Sequence, residues 1–511
     1  MVDDVQWHGT YHSARVRRAS EGAGCEGATC EGASEGARCE GAAYNAPMKI
    51  RIVTAALIIA VALVIASTQT SQRQVSLVVT NGTVVTLDGG GRVIADGAVA
   101  IDGSDIVAVD TADAVQRGFQ GRDTIDAAGQ VVLPGLINTH THAPMVLFRG
   151  LADDLALMEW LTKYIFPAEA RTVSPEFVRA GTRLAALEMI QSGTTTYTDM
   201  YYFEEEIARE TKAAGLRGVL GQTIIEFPVA DAKTPTEALA RANAFITAFK
   251  GDPLITPAVA PHAMYSLDGP TLTAARDLAR RHGVPTLIHL AETRDEVQIA
   301  QERFKMSPVA YLDGLGFLGA GVLAAHAIWV SEPEIAILRK RGVGVSHNPE
   351  SNMKLASGTA PIPGYLTAGV AVGLGTDGAA SNNDLDMFDA MRMASLLHKL
   401  QSGDPRVVGA RTALEMATMG GARALGMATQ IGSLEPGKRA DLIVVGMTAA
   451  RQTPMYDPIS HLVYTTRGDD VRTTIVHGRV LMRDRKMVTL DEAAILRDAR
   501  TWAEKVRAAV N

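Results

Sequence analysis

The sequence predicts an α/β protein: a (β/α)8 TIM-like barrel carrying a small β-sandwich built from both flanking segments. Three observations carry this. From 134 to 434, apolar segments of strand length alternate with helical stretches. Alternation of that extent argues for a parallel sheet, and eight such units would close a barrel. On either side, 75–133 and 435–511, β-branched runs dominate. Finally, a series of histidines and one aspartate each follow a strand candidate, and a parallel barrel gathers its functional groups at the carboxyl ends of its strands.

The chain begins differently. Residues 20–42 repeat Glu-Gly-Ala with variations, a low-complexity composition that cannot build a core, so 1–47 reads as a disordered leader. All three cysteines (Cys25, Cys30 and Cys39) lie there. The body therefore has no disulfide and no thiolate ligand, which excludes the Cys-x-x-Cys zinc deaminase architecture. In 48–74, Lys49 and Arg51 precede an apolar run, Ile52 to Ala66, that ends in Ser67-Thr68-Gln69-Thr70. That is the pattern of a signal peptide or a membrane anchor, and the run is short of the ~20 residues of a bilayer-spanning helix. Membrane contact is expected only through 48–70, with export to a periplasm or anchoring as the reading and a cytoplasmic location as the alternative. A start at Met48 would place this segment at the head of the chain.

The first sandwich part, 75–133, reads as strands and turns. Val75 to Val79 leads to Asn81-Gly82, followed by Thr83 to Leu87, a glycine cluster at 89–91, Ala98 to Ile101, and Asp102-Gly103. Asn-Gly and Asp-Gly between β-branched runs signal hairpins. Val131 to Leu133 reads as a buried strand leading to Pro134-Gly135-Leu136-Ile137-Asn138-Thr139-His140-Thr141-His142. In the barrel segment, helices are predicted over Glu176–Ile190, Pro235–Phe249, Pro270–Arg281 and Glu332–Arg341. Strands are predicted over Gly218–Ile225, Ile255–Ala260, Thr286–Leu290, Val322–Ala325, Gly344–Ser346 and Ala371–Leu374. After 435, strand character returns at Ala440–Val445, Arg472–Val476 and Arg479–Met482, and Leu490–Val510 is helical.

Two histidines two residues apart at a strand end point to the same side and can offer two nitrogens to one metal ion. His140 and His142 are the first of a series continued by His262, His289, His326 and Asp377. Three imidazoles and one carboxylate suit zinc with a water in the remaining position; Fe2+, Mn2+ or Co2+ could occupy the same set. The formal charge of −7 and the 5% aromatic content argue against nucleic acid as a partner, which needs a basic face or stacking platforms.

The chain resembles the amidohydrolase superfamily, and within it the branch of 5-methylthioadenosine/S-adenosylhomocysteine deaminases, which also holds triazine chlorohydrolases and guanine deaminases. The carriers are PGLINTHTH at 134–142, Trp160 with Pro167-Ala168-Glu169, Ala260-Pro261-His262, HLAE at 289–292, His326, SHNPESNMKLASG at 346–358, LGTDGAASNN at 374–383 and LEPGKRADLIVV at 434–445. The resemblance runs from about Val75 to the C-terminus. It implies a divalent metal held by His140, His142, His289 and Asp377; no lysine lies in the strand before His262 to bridge a second ion, so a single metal is expected. It makes Glu292 the acid that protonates a ring nitrogen and the departing amine. Asp377 would also accept the proton of water, and His326 would orient that water. Glu169 would bind the ribose hydroxyls, Trp160 and His262 would line the nucleoside pocket, and Ser381 would approach the substrate.

The implied activity is hydrolytic deamination of a small adenosine-type nucleoside (5′-methylthioadenosine, S-adenosylhomocysteine or adenosine) by a homo-oligomer. The alternative is another hydrolase of the same site, acting on a triazine, guanine or a cyclic amide. Two departures bear on the substrate. Pro261-His262-Ala263-Met264-Tyr265 stands where members of the branch often have Pro-His-Ser-Pro-Tyr. Arginines that some members use for the homocysteine carboxylate have no clear counterpart, Arg217 and Arg241 being the nearest candidates. A thioether or unsubstituted nucleoside is therefore expected over an amino-acid tail.

Overall fold

A computed structural model describes residues 72–510. The predicted leader, and the predicted signal or anchor segment up to residue 71, lie outside the described residues. No helix among the described residues is long and apolar enough to cross a membrane.

Eight parallel strands close a barrel: Leu136–Thr141, Thr194–Tyr201, Arg217–Ile224, Ile255–Pro261, Thr286–Leu290, Val322–His326, Gly344–His347 and Val372–Leu374. They are named here first to eighth in that order. Closure runs through Leu374 of the eighth strand, paired with Asn138 of the first. The barrel interior is filled by Ile137, Met200, Val219, Ala258, Leu287 and Leu323, and is plugged by Leu425, Met427 and Ile431. A filled interior leaves ligand space only at the mouth.

The outer helices start where the sequence announces them. Ser174, Thr234 and Asp268 each cap a helix by accepting a backbone N–H, and each helix has proline at its first or second position. A polar cap followed by proline satisfies one orphan donor and removes another. The helices Pro175–Gln191, Pro235–Phe249, Gly269–His282 and Glu332–Arg341 accordingly fall within a residue of their predicted bounds.

The flanking segments join in one nine-stranded mixed sheet. Leu442–Gly446 pairs antiparallel with Gln130–Pro134, so the C-terminal segment docks directly on the N-terminal one. The sheet folds over on itself, with Asp105 bridging to Arg439. The enclosed core takes Leu77, Val99, Ile106 and Val132 from one segment and Leu442 and Ile475 from the other.

Three sequence expectations need correction. The N-terminal strand of the sheet already begins at Arg73, two residues before the predicted sandwich boundary. Asn81-Gly82 does not turn a hairpin but is an irregularity inside the single strand Arg73–Val85, where the register shifts on either side of Gly82. Asn81 takes the left-handed conformation, φ 63°, as a bulge requires, and the strand exchanges its partner there: residues before it pair with Phe119–Asp126, those after it with Val131 and Val132. Finally, Val131–Leu133 lies in the sheet, as the sandwich bounds 75–133 predict, but it is not the strand whose end carries the histidines; that strand is Leu136–Thr141. The chain crosses from sheet to barrel at Gly135, whose N–H donates to the Asp441 carbonyl.

Candidate active site

The two histidines of the first repeat lie on one strand end. His140 is inside the first strand and His142 is the residue after it. His289 lies in the fifth strand, His262 follows the fourth, His326 closes the sixth, and Asp377 lies three residues past the eighth. Strand pairing converts these dispersed positions into one cluster. Possible ligand atoms of His140, His142 and His289 lie within 4.8 Å of one another, as do those of His140, His326 and Asp377. The Nε2 atoms of His140 and His142 are each 3.3 Å from Asp377 Oδ1.

Hydrogen bonds behind the rings fix which nitrogen faces the cluster. His142 Nδ1 lies 2.7 Å from the Met200 carbonyl, and His289 Nδ1 lies 2.9 Å from the His262 carbonyl. A carbonyl only accepts, so Nδ1 carries the proton and Nε2 offers its lone pair inward. His140 Nε2 is buried with no hydrogen-bond partner among the described residues. A metal ion held at the cluster would satisfy that orphan. Burial also holds His140 at about 4 and His289 well below the ordinary imidazole value, so both are neutral, the form that ligates. Burial pushes the Asp377 carboxyl up, but the imidazoles of His140, His142 and His326 outweigh it and hold the group well below the usual range. Asp377 is thus a carboxylate. Its Oδ2 accepts from Ser351 at 2.7 Å and from Ser381 at 2.9 Å, which leaves Oδ1 facing the rings. The donor set fits one divalent cation. Ser381 stands behind Asp377 with its hydroxyl engaged there and does not line the pocket.

The other predicted residues wall the pocket above the cluster. Glu292 is buried, with Oε2 3.8 Å from His326 Nε2. Burial raises its carboxyl, which favours the proton-carrying form of an acid catalyst. Burial would lower His326, but Glu292 and Asp377 together raise it; its Nδ1 is held by Asn352 Oδ1 at 2.8 Å. Glu169 is also buried, pushed up to about 7 by desolvation, and accepts the Tyr201 hydroxyl at 2.6 Å. Trp160 opens a π-helical turn, Trp160–Ile165, that runs into the helix Phe166–Thr172 carrying Glu169. Such turns re-aim side chains and recur at functional sites. Trp160 and His262 both face the pocket.

Four contributors escaped the sequence reading: Tyr201, Ser351, Asn352 and Glu296. Glu296 accepts the N–H of Ala291 and of Glu292, each at 2.9 Å, one per carboxylate oxygen. Ala291 sits at φ 49°, a conformation costly for any residue with a Cβ, and the Glu296 grip holds it. Thr293 to Glu296 has the form of a capping box, which was the available signal. Here the glutamate reaches past the cap to the loop that carries Glu292. Arg217 and Arg241, the nearest candidates for a carboxylate partner, are both committed elsewhere. Arg217 is buried against Asp441 at the base of the third strand, and Arg241 pairs with Glu205 at 2.7 Å and Asp231 at 3.3 Å.

The chain matches known proteins over most of its length. The profile of the amidohydrolase family matches residues 131–481. The chain is 48% identical over 431 residues to a 5-methylthioadenosine/S-adenosylhomocysteine deaminase of Syntrophobacter fumaroxidans, covering 84% of this chain and 98% of that protein. It is 45% identical over 437 residues to a 5′-deoxyadenosine deaminase of Methanosarcina mazei, covering 85% and 99%. Among solved structures, an adenosine deaminase from Xanthomonas campestris with bound zinc superposes with a TM-score of 0.84 at 39% identity, covering 86% of this chain and all of that one. With five histidines and an aspartate gathered at the mouth of its barrel, and matched along most of its length by these relatives, the chain belongs to the amidohydrolase family.

Proposed function

We propose that the protein is a zinc-dependent hydrolytic deaminase that converts an adenosine-type nucleoside and water to the inosine analogue and ammonia. The observation that carries this reading is a pair of buried carboxyl groups in one pocket: Glu292 beside the ligand cluster and Glu169 on Tyr201. The first suits protonation of a purine ring nitrogen, the second suits vicinal ribose hydroxyls. The names of the relatives, all adenosine-type deaminases, support the same substrate class.

His140, His142, His289 and Asp377 would hold the ion. When bound, it lowers the pKa of water toward neutrality and so supplies a nucleophile at working pH. The chain's own groups do the rest. Asp377, ionised and facing the rings through Oδ1, takes a proton from the attacking water. Glu292 in its acid form donates to the ring nitrogen beside the attacked carbon; as a carboxylate it then takes the remaining proton of the added hydroxyl and passes it to the amine, which leaves as ammonia, and the proton held by Asp377 restores the Glu292 acid. His326, raised by its two carboxylate neighbours, orients the water. Glu169 and Tyr201 fix the sugar, and Trp160 and His262 close on the nucleoside.

Purified, zinc-loaded protein should convert 5′-methylthioadenosine to its inosine analogue with stoichiometric ammonia, and a chelator should abolish turnover reversibly. Metal-bound protein that is silent across adenosine nucleosides would overturn the proposal.

A further inference from the structure

Leu161, Phe166, His262 and Tyr265 wall the pocket of Glu169 and Glu292, and the same four side chains also wall a second chamber of about 510 Å3 beside it. The second chamber is far larger than a methylthio group. Its remaining apolar walls include Met158, Ile225, Phe227 and Leu267. Phe227 packs edge-on against Phe166, ring centroids 5.3 Å apart, yet stays 40% exposed, and Met158 is 37% exposed. Large apolar side chains left partly bare in a concavity that continues an enzyme pocket mark a surface that a ligand covers.

The charge of this chamber is informative. Its walls carry two carboxylates, Glu226 and Asp268, against one cation, Arg303. The Arg303 guanidinium already donates to the Tyr265 carbonyl at 3.1 Å. Arg217 and Arg241 are ion-paired elsewhere, so Arg303 is the one cation of the chamber walls and faces two carboxylates there.

We infer that this side chamber receives the 5′ substituent of the nucleoside and selects apolar thioether tails longer than methyl over a zwitterionic amino-acid tail, with Phe227 and Met158 as specificity-determining residues. The inference rests on the deaminase reading. With the base against the ligand cluster and Glu292, and both ribose hydroxyls on Glu169, the 5′ carbon is the one substituent of the sugar left without a partner. Phe166 lies one turn before Glu169 on the same helix. A tail leaving a sugar held by Glu169 therefore meets the Phe166–Phe227 pair. An alkyl tail buries apolar surface there. A carboxylate tail would give up solvent on the apolar walls for a rim where two carboxylates outnumber the single cation Arg303, a placement less favourable than that of an alkyl tail.

The test is a set of kcat/KM values for zinc-loaded enzyme on 5′-deoxyadenosine, on 5′-alkylthio-5′-deoxyadenosines from methyl to butyl, and on S-adenosylhomocysteine. The alkyl series should rise about two- to fourfold per added methylene, with S-adenosylhomocysteine at least tenfold below the butyl compound. In Phe227→Ala and in Met158→Ala the slope against chain length should fall by half or more. A flat alkyl series, or S-adenosylhomocysteine as the best substrate, overturns this inference while leaving the deaminase reading standing. Loss of all turnover on all of these nucleosides by metal-bound enzyme overturns both.

Discussion

The Tyr201 hydroxyl donates to Glu169 Oε1 across 2.6 Å, which ties the second barrel strand to the helix that follows the π-helical turn. The bond leaves the other carboxylate oxygen for a ligand. Desolvation pushes Glu169 up to about 7, so in the free enzyme it is protonated at lower pH and an acceptor-only carboxylate above. Two ribose hydroxyls need that acceptor form. kcat/KM for an adenosine nucleoside should therefore rise with pH through about 7, since that parameter reports the free enzyme. Glu169→Gln keeps the acceptor for Tyr201 but loses the charge. It should abolish this limb and lower kcat/KM by about 10- to 100-fold, the scale of a hydrogen bond to a charged group. A variant that retained the limb would separate it from Glu169.

Glu296 acts through the loop that carries Glu292, and kinetics can tell the two apart. Glu292→Gln removes the acid itself and should lower kcat by about 10²- to 10⁴-fold. Glu296→Gln sets an NH2 against one of the two backbone N–H groups that its oxygens now accept, leaving a buried donor unpaired at a cost of about 1–3 kcal/mol. The loop with Ala291 at φ 49° then loses half its hold. kcat should fall by about 10- to 100-fold while KM and metal content change little. Equal losses in kcat and in zinc stoichiometry would show that Glu296 supports the metal site and not the acid.

The barrel was readable where apolar periodicity and proline-capped helix starts agree, as at Thr286–Leu290 and Pro235–Phe249. It was not readable at Thr194–Tyr201, whose Thr-Thr-Thr-Tyr-Thr-Asp-Met-Tyr is mostly polar although every residue is buried. Burial there is set by neighbouring strands, not by local hydrophobicity, so a pattern search passes over it and misses Tyr201 as well. The metal-ligand candidates were readable because each follows a strand, and strand ends converge. Ser351, Asn352 and Glu296 were not, because their roles lie in which backbone or side-chain atom they reach across the fold. Asn81-Gly82 misled because the dipeptide fits a bulge as well as a hairpin turn, and only the partner strands decide between them.

Asp199 and Glu204 form a buried acidic pair behind the first strand. Asp199 Oδ1 accepts from Thr141 at 2.7 Å and from the Ala143 N–H, and Glu204 Oε1 accepts the Tyr201 N–H at 2.8 Å. Asp199 Oδ2 and Glu204 Oε2 are buried with no partner among the described residues. Burial pushes Asp199 up to about 6, and burial together with the Asp199 charge pushes Glu204 well above its usual value. Both folded pKa values exceed the unfolded ones, so the folded state holds more protons. The stability this contributes is complete at low pH and is lost as pH rises through the folded values. Glu204→Gln replaces the proton by an amide that can donate to Asp199 Oδ2. Its melting temperature should exceed that of the parent by a margin growing from about pH 5 to about pH 8, reaching the equivalent of ~1–2 kcal/mol. A pH-independent difference would exclude the shared proton.

Arg217 and Asp441 connect the third barrel strand to the sandwich through two bonds, Nε to Oδ2 at 2.8 Å and Nη2 to Oδ1 at 3.2 Å, with both side chains at or below 4% exposure. Asp441 Oδ1 also accepts the His477 N–H at 2.7 Å, and the Asp441 carbonyl takes the Gly135 N–H. One aspartate thus fixes the crossing from sheet to barrel just ahead of the strand that carries His140, through its carboxylate to Arg217 and His477 and through its carbonyl to Gly135. Asp441→Asn keeps the acceptor for His477 but leaves a buried guanidinium without its counter-charge. Breaking one side of a buried pair costs about 3–5 kcal/mol, whereas replacing both sides by apolar groups is often close to neutral. Asp441→Asn should therefore lower the melting temperature sharply, and Arg217→Met combined with Asp441→Leu should recover much of the loss in thermal and denaturant unfolding. The recovery would be incomplete, because the double variant leaves the His477 N–H without its acceptor. If the double variant were as unstable as the single one, the pair would be contributing attraction beyond its desolvation cost, and the junction would depend on the ion pair and not merely on filling the space it occupies.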